Sequence, residues 1–114
     1  MEIRVSESVP ANPVGERGAH GVTVRVLIGP NQNAPNFNMR LFDVDPDGHT
    51  PLHTHAWEHE VYVLAGRGVV RTGQGEHKIS PGDCVYVPPE EKHQFVNAGS
   101  KPLKFLCIVP RDTR

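Results

Sequence analysis

Turn-forming residues divide this chain into short pieces. Eleven glycines and eleven prolines are spread over 114 residues, and no window of a dozen residues keeps a 3.6-residue apolar period free of them, so we predict no long helix. The apolar segments between them are rich in Val, Ile, Phe and Tyr, which is typical of β-strands. These segments are 22–28, 37–44, 52–55, 59–64, 68–72, 77–79, 84–87, 93–96 and 103–109.

Short strands at regular spacing predict a single all-β domain over residues 1–114, either a sandwich or a barrel. Residues 1–21 are polar and turn-rich, and we predict that they form an irregular arm with one short strand at 3–6. Glycine-rich tripeptides are predicted to form hairpin turns, and Asp-Pro-Asp-Gly is a further turn signal. The predicted turns include Asp45-Pro46-Asp47-Gly48, Gly66-Arg67-Gly68 and Gly73-Gln74-Gly75.

Charge and hydropathy exclude some classes of partner. A formal net charge of −1 argues against nucleic-acid binding, which favours clustered Lys and Arg. No stretch approaches the roughly 18 apolar residues of a membrane span, and the N-terminus lacks an apolar signal-peptide segment. We therefore expect a cytoplasmic protein that binds neither nucleic acid nor a membrane. Cys84 and Cys107 are then expected to be reduced, buried thiols.

Four of the seven histidines lie within eleven residues, and histidine is the commonest metal ligand among side chains. On a helix, His55 and His59 would share a face, but His53 would point elsewhere. On a strand, His53 and His55 project together, and the chain must turn at 56–58 so that His59 begins the next strand beside the first. Pro51 favours the extended arrangement. The sequence therefore indicates a metal site built on a turn.

A fourth ligand is available outside this cluster. His93 follows a proline-containing turn and opens an apolar run, so it is either a ligand or a surface or core histidine. His20, His49 and His77 lie in polar or turn segments and are expected at the surface.

Two longer segments carry a family resemblance. The chain reads GHTPLHTHAWEHEVYVLAG from Gly48 to Gly66 and GDCVYVPPEEKHQFVN from Gly82 to Asn97. These segments resemble the two cupin motifs, G(X)5HXH(X)3–4E(X)6G and G(X)5PXG(X)2H(X)3N. Gly48 is one residue closer to the first histidine than in the pattern.

The remaining departures concern two glutamate positions. Glu90 stands where the second motif has glycine, so we expect a turn without positive φ there. The usual glutamate ligand is replaced by His59. Glu60 is the alternative ligand, but it points to the opposite face of the strand.

The sequence is similar to small single-domain cupins with a four-histidine, manganese-binding site. That resemblance implies a jelly-roll barrel, or double-stranded β-helix, with one divalent metal per chain. The ligands would be His53, His55, His59 and His93. Manganese or iron is expected, while zinc, nickel or copper would also suit imidazole. The resemblance also implies a homodimer, across which the 1–21 arm is expected to pack or exchange.

Residue parity predicts the walls of a pocket beside the metal. Val61 shares a strand face with His59, and Phe95 with His93. On the last strand either Phe105 and Cys107 or their neighbours 106 and 108 face the metal, and we favour the first pair. Arg40 is either a binding group for a substrate carboxylate or a solvent-facing residue. Trp57 either gates the mouth or packs on a dimer partner.

An open metal position beside an apolar pocket favours an enzyme that acts on a small metal-chelating molecule, and we expect an oxygenase or dioxygenase. Two other functions fit the same residues. One is a non-enzymatic small-molecule sensor or binding protein, and the other is a redox-neutral isomerase or lyase. Fold alone does not separate them.

Overall fold

Nine β-strands make up most of the chain, of which a computed structural model describes residues 1–112. The strands are β1 Asn12–Pro13, β2 His20–Ile28, β3 Phe37–His49, β4 His59–Ala65, β5 Gly68–Thr72, β6 Gly75–Ile79, β7 Cys84–Val87, β8 His93–Asn97 and β9 Leu103–Pro110. Single 3-10 turns lie at Ser6–Ser8 and Pro30–Gln32. Over residues 1–112 no segment forms an α-helix, and none of the helical turns is long or apolar enough to cross a membrane.

One curled sheet encloses the interior. Its strand order is β6-β5-β8-β3-β9-β4-β7, with β2 also paired to β3 and β1 to β2. The long strand β3 pairs with β9 from Phe37 to Val44, and at its far end His49 pairs with Val96 of β8. Because β3 changes partners along its length, the sheet folds over on itself. The predicted all-β, cupin-type barrel in a single domain is confirmed.

The turn predicted at residues 45–48 does not end β3. Asp47 has φ +68°, and a Cβ on Gly48 would lie 2.8 Å from the carbonyl oxygen of His20. The strand therefore continues through an irregularity that only glycine tolerates at its closest approach. The strand predicted at 52–55 is reduced to one isolated bridge between His53 and His93.

The two glycine tripeptides behave differently. Thr72 pairs with Gly75, so the second tripeptide forms the predicted hairpin. The first does not, because β4 pairs with β7 and β9 whereas β5 pairs with β6 and β8. Gly66 instead carries the chain from one side of the barrel to the other with φ +84°. A Cβ there would lie 2.8 Å from Cα of Leu103, so this crossing needs glycine.

The N-terminal arm packs against β2 of its own chain. The strand predicted at 3–6 is absent, and a 3-10 turn at Ser6–Ser8 follows instead. Arg25 donates hydrogen bonds to the carbonyl oxygens of Ser6 and Val9, which holds the arm on the sheet. Pro13 of β1 pairs with Thr23 of β2. These contacts bring residues after Pro13 to the rim of the barrel.

Alternate strand residues fill the interior. Val44, Val63 and Leu103 are fully buried, and Phe105 stacks between Phe42 and Phe95 with ring centroids 5.3 and 4.7 Å away. Cys107 is buried as predicted, but Cys84 is exposed, which corrects the prediction for that thiol. Its strand β7 pairs with β4 alone and forms one edge of the strand order. The apolar filling occupies one end of the barrel and leaves the other end open.

Candidate metal centre

Backbone pairing brings the predicted histidines together from three parts of the chain. His53 and His93 exchange both backbone hydrogen bonds, with N···O distances of 3.2 and 3.0 Å. His55 lies two residues further along the same extended segment, and its carbonyl oxygen accepts a 2.8 Å hydrogen bond from Glu90 N. β4 then begins at His59, as predicted. The segment's neighbour is β8, however, and not β4.

The helical alternative for this cluster is wrong, since none of residues 53–59 is helical. The side chains converge instead from extended backbone. One ring nitrogen each from His53, His55 and His93 lie within 4.8 Å of one another. His59 Nε2 is 2.5 Å from His55 Nε2, and the His59 and His93 ring centroids are 5.1 Å apart. Glu60 is exposed on the other face of β4.

Each of the four histidines has a partner for its Nδ1 atom. Backbone carbonyl oxygens accept from two of them: Trp57 O lies 3.0 Å from His55 and Glu91 O lies 2.8 Å from His93. The four pairs, with distances, are His53 with Glu16 Oε2 (2.7 Å), His55 with Trp57 O, His59 with Cys107 Sγ (2.8 Å) and His93 with Glu91 O. Carbonyl and carboxylate oxygens only accept from a ring, so in His53, His55 and His93 the proton lies on Nδ1 and the Nε2 lone pair stays free. The Cys107 thiol can donate or accept, so it orients the His59 ring without fixing its tautomer.

Burial favours the neutral form of three of these rings. Desolvation is the largest cause that lowers the pKa of His55, of His93 and of His59, and it brings His59 to about 2. Neutral imidazole is the form that binds a metal. The Nε2 atoms of His55 and His59 lie 2.5 Å apart, so one cation can contact both. The donor set therefore fits a divalent ion that accepts nitrogen ligands.

A cavity of about 450 Å³ opens beside the histidines. The inner faces of β2, β3 and β9 form its apolar wall, and five of the six predicted pocket residues line it. These five are Arg40, Trp57, Phe95, Phe105 and Cys107. Val61 does not line it, because it lies two residues past His59 towards the filled end and is 4% exposed within the core. On β9 the favoured pair, Phe105 and Cys107, faces the cavity.

Two wall residues are held by specific contacts. The Trp57 indole stacks on the His55 ring, with centroids 4.5 Å apart and planes 6° from parallel. Cys107 Sγ lies next to His59, and burial raises the pKa of its thiol, so the group stays protonated at neutral pH.

Glu16 is the functional residue that sequence reasoning missed. It sits in the polar arm, lines the cavity and contacts His53 from 37 positions away. No local pattern marks such a long-range contact. His49 also differs from the prediction, because it is half-buried near Gln94. His20 and His77 are exposed as predicted.

The turn before His93 also differs from the prediction. Glu90 has φ +68° although it replaces the glycine of the motif. The left-handed conformation is therefore retained without glycine, and the hydrogen bond from Glu90 N to His55 O holds it in place.

Comparison with known proteins agrees with this architecture. The polyketide cyclase RemF from Streptomyces resistomycificus superposes with a TM-score of 0.94 at 36% identity, over 98% of this chain and 80% of that one. The oxalate-binding protein of Thermotoga maritima is 31% identical over 114 residues, which are 96% of this chain and 93% of that protein.

A further relative is longer than this chain. The 1-methylthio-D-xylulose 5-phosphate methylsulfurylase of Rhodospirillum rubrum is 35% identical over 95 residues, which are 83% of this chain and 60% of that protein.

The family model described as "Cupin domain" matches residues 40–109, which include the four histidines and both motif segments. The chain is thus a member of the cupin family.

Proposed function

We propose that this cupin is an enzyme that binds one divalent metal ion on His53, His55, His59 and His93 and acts on a small molecule that chelates the ion through oxygen. One observation carries the proposal: each ring has an Nδ1 partner, so the Nε2 atoms are left to converge beside a 450 Å³ cavity. Outer hydrogen bonds of this kind orient metal ligands and fix their tautomers.

Four neutral imidazoles add no charge, so a bound divalent ion would keep its full +2 charge and supply Lewis acidity for an anionic oxygen ligand. The protein's own contribution is position and shape. Glu16 orients the His53 ring and Cys107 orients the His59 ring. Trp57 covers a third ring, and the phenyl groups of Phe95 and Phe105 exclude water from the adjoining wall.

We favour a redox-neutral reaction of an enolisable carbonyl compound, such as ring closure of a polyketide-like chain. The likeness to a polyketide cyclase over 98% of this chain supports this choice. A β-dicarbonyl compound loses the proton between its carbonyl groups readily and then chelates through two oxygens, so it needs only a weak base. Among the described residues that line the cavity, Glu16 is the one with a carboxylate, and it is the candidate base.

The oxygenase expected from the sequence is the second candidate. The observation in its favour is that Glu16 is engaged with His53 at 2.7 Å and half-exposed, which leaves the cavity without a free internal base. An apolar wall beside a chelating site suits oxygen chemistry equally well. A non-enzymatic binding protein would use the same geometry without turnover.

Dissolved-oxygen and mass measurements separate these functions. Protein loaded with manganese, iron or zinc is incubated with heptane-2,4,6-trione, a linear 1,3,5-triketone, with the His59→Ala variant as control. The proposal predicts a product of unchanged mass or one water lighter, formed without oxygen uptake. Oxygen uptake with a heavier product would establish the second candidate, and binding without any product would establish a sensor or binding protein.

Three further features of the proposal come from the resemblance to four-histidine cupins. They are manganese or iron as the working ion, a homodimer, and a cytoplasmic location. Elemental analysis and light scattering of protein purified from its own host test the first two. Equal occupancy by zinc or copper, or a monomer at working concentration, would contradict them.

A further inference from the structure

Arg40 is a cation without an anion partner in the wall of the cavity. It lies on β3 between Val26 of β2 and Cys107 of β9 in the sheet register. In the described part of the chain, ion pairs join other residues, and none includes Arg40. Its Nε atom is buried and has no hydrogen-bond partner. Buried polar groups are nearly always paired, so this orphan indicates a missing ligand.

The neighbours of Arg40 do not neutralise it. Its Nη2 atom donates to Cys107 Sγ at 3.4 Å, and sulfur is a weak hydrogen-bond acceptor. Its guanidinium carbon lies 5.0 Å from the Phe42 ring centroid, a cation–π contact that steadies the group but leaves its charge in place. Glu16, the carboxylate that lines the same cavity, is bonded to His53.

The position of Arg40 relates it to the candidate metal centre. Cys107 Sγ contacts both Arg40 Nη2 and His59 Nδ1, at 3.4 and 2.8 Å. A single sulfur atom therefore separates the guanidinium from a candidate ligand ring. Val24, Phe42 and Phe105 add apolar surface to the same cavity. A ligand that chelates an ion at the histidines is therefore within reach of the guanidinium.

We propose that Arg40 is an anion subsite that binds the carboxylate of a substrate whose chelating oxygens lie at the histidines. This inference rests on the proposed function and specifies its substrate class: a monoanionic, oxygen-chelating acid with an apolar body. A carboxylate matches the two parallel N–H groups of a guanidinium. Phosphate is the poorer match, because Arg40 is the one arginine or lysine among residues 1–112 that lines the cavity, and the wall beside it is apolar.

A matched pair of probes tests the subsite. Zinc-loaded protein is titrated calorimetrically with 4,6-dioxoheptanoate and with its methyl ester, which share the same β-diketone head. We expect the acid to bind roughly ten- to a hundredfold more tightly, since a charge-assisted contact is lost in the ester. Arg40→Gln should abolish this preference, and Arg40→Lys should retain part of it. Arg67→Gln, which changes an exposed arginine outside the cavity, should leave it intact.

Metal content is measured in every variant, which keeps this inference separate from the proposed function. Wild-type protein that binds no zinc refutes the metal site, and acetate binding to metal-free protein still tests Arg40. Equal affinity for acid and ester in zinc-loaded protein overturns the subsite, as does a preference that survives Arg40→Gln. Stronger binding of inorganic phosphate than of acetate to the metal-free protein overturns the carboxylate assignment.

Discussion

The two ends of the barrel interior differ although the same strands build both. On β4, His59 and Val63 are four residues apart on one inner face, and one is a candidate metal ligand while the other is fully buried among aliphatic side chains. At the filled end, apolar contacts leave no room for a ligand. At the histidine end, polar rings line one side of a cavity. On β4 the core residue and the candidate ligand thus lie at opposite ends of one strand face.

The largest expected loss of stability comes from a substitution at the filled end of the barrel. Leu103→Ala removes a fully buried side chain and should lower the free energy of unfolding by about 2–5 kcal/mol, since it leaves a cavity in a packed core. Urea denaturation measures the loss. Zinc affinity of the folded variant should stay close to wild type, and a parallel loss of affinity would refute the separation of the two ends.

The converse change is at the histidine end. His59→Ala should weaken zinc binding by more than the roughly 10–100-fold that loss of an outer partner costs. The unfolding free energy of the metal-free protein should fall less than in Leu103→Ala. Competition with a chromophoric chelator measures the affinity, and His77→Ala, at an exposed site, serves as the control. Unchanged zinc affinity, or loss of zinc in Glu60→Gln instead, would show that the ligand is misassigned.

Acid should destabilise the metal-free protein through the buried histidines. Because burial lowers the pKa of His59 from 6.5 to about 2, the unfolded chain binds a proton below pH 6.5 that the folded chain does not. The free energy of unfolding of the metal-free protein therefore decreases as the pH drops below 6.5. The decrease is at most about 1.4 kcal/mol per pH unit for one ring that is protonated only in the unfolded chain. Chemical denaturation between pH 7 and 4.5 measures the slope. His59→Ala should reduce the slope, to which His55 and His93 also contribute, and an equal slope in that variant would contradict the assignment.

A smaller loss of zinc affinity is expected from substitution of Cys107, which lies where the filled core meets the site. Cys107→Ala removes the sulfur that lies 2.8 Å from His59 Nδ1 and should weaken zinc binding about tenfold, because the ring loses its outer partner. Cys107→Ser supplies an oxygen acceptor and should recover most of the affinity. If serine and alanine weaken binding equally, the cysteine acts through packing and does not orient the ring.

The smallest effect concerns backbone strain beside the site. Glu90→Gly should raise the free energy of unfolding by less than about 1 kcal/mol, because relief of a left-handed φ is partly offset by the flexibility of the unfolded chain. Lys92→Gly, in the same turn but outside the left-handed region, should lower it. Thermal unfolding compares the two. Destabilisation by both variants would show that φ +68° at Glu90 is not strained.

Local pattern was enough to predict most strands and the convergence of the four histidines, since strand parity and motif spacing depend on neighbours in sequence. It was not enough for Gly66, because an identical glycine pattern serves a hairpin at one place and a crossover at another. It also failed at Glu16, whose role depends on how the arm folds over β2, and at Glu90, where backbone contacts impose a conformation that the residue type disfavours.

The number of imidazoles on the bound ion tests the four-histidine site most directly. X-ray absorption spectroscopy of zinc-loaded wild-type protein and of His59→Ala counts them through the imidazole scattering pattern. We expect one ion per chain with four imidazoles in the wild type and three in the variant. Three imidazoles and a carboxylate in the wild type, unchanged by His59→Ala, would contradict it.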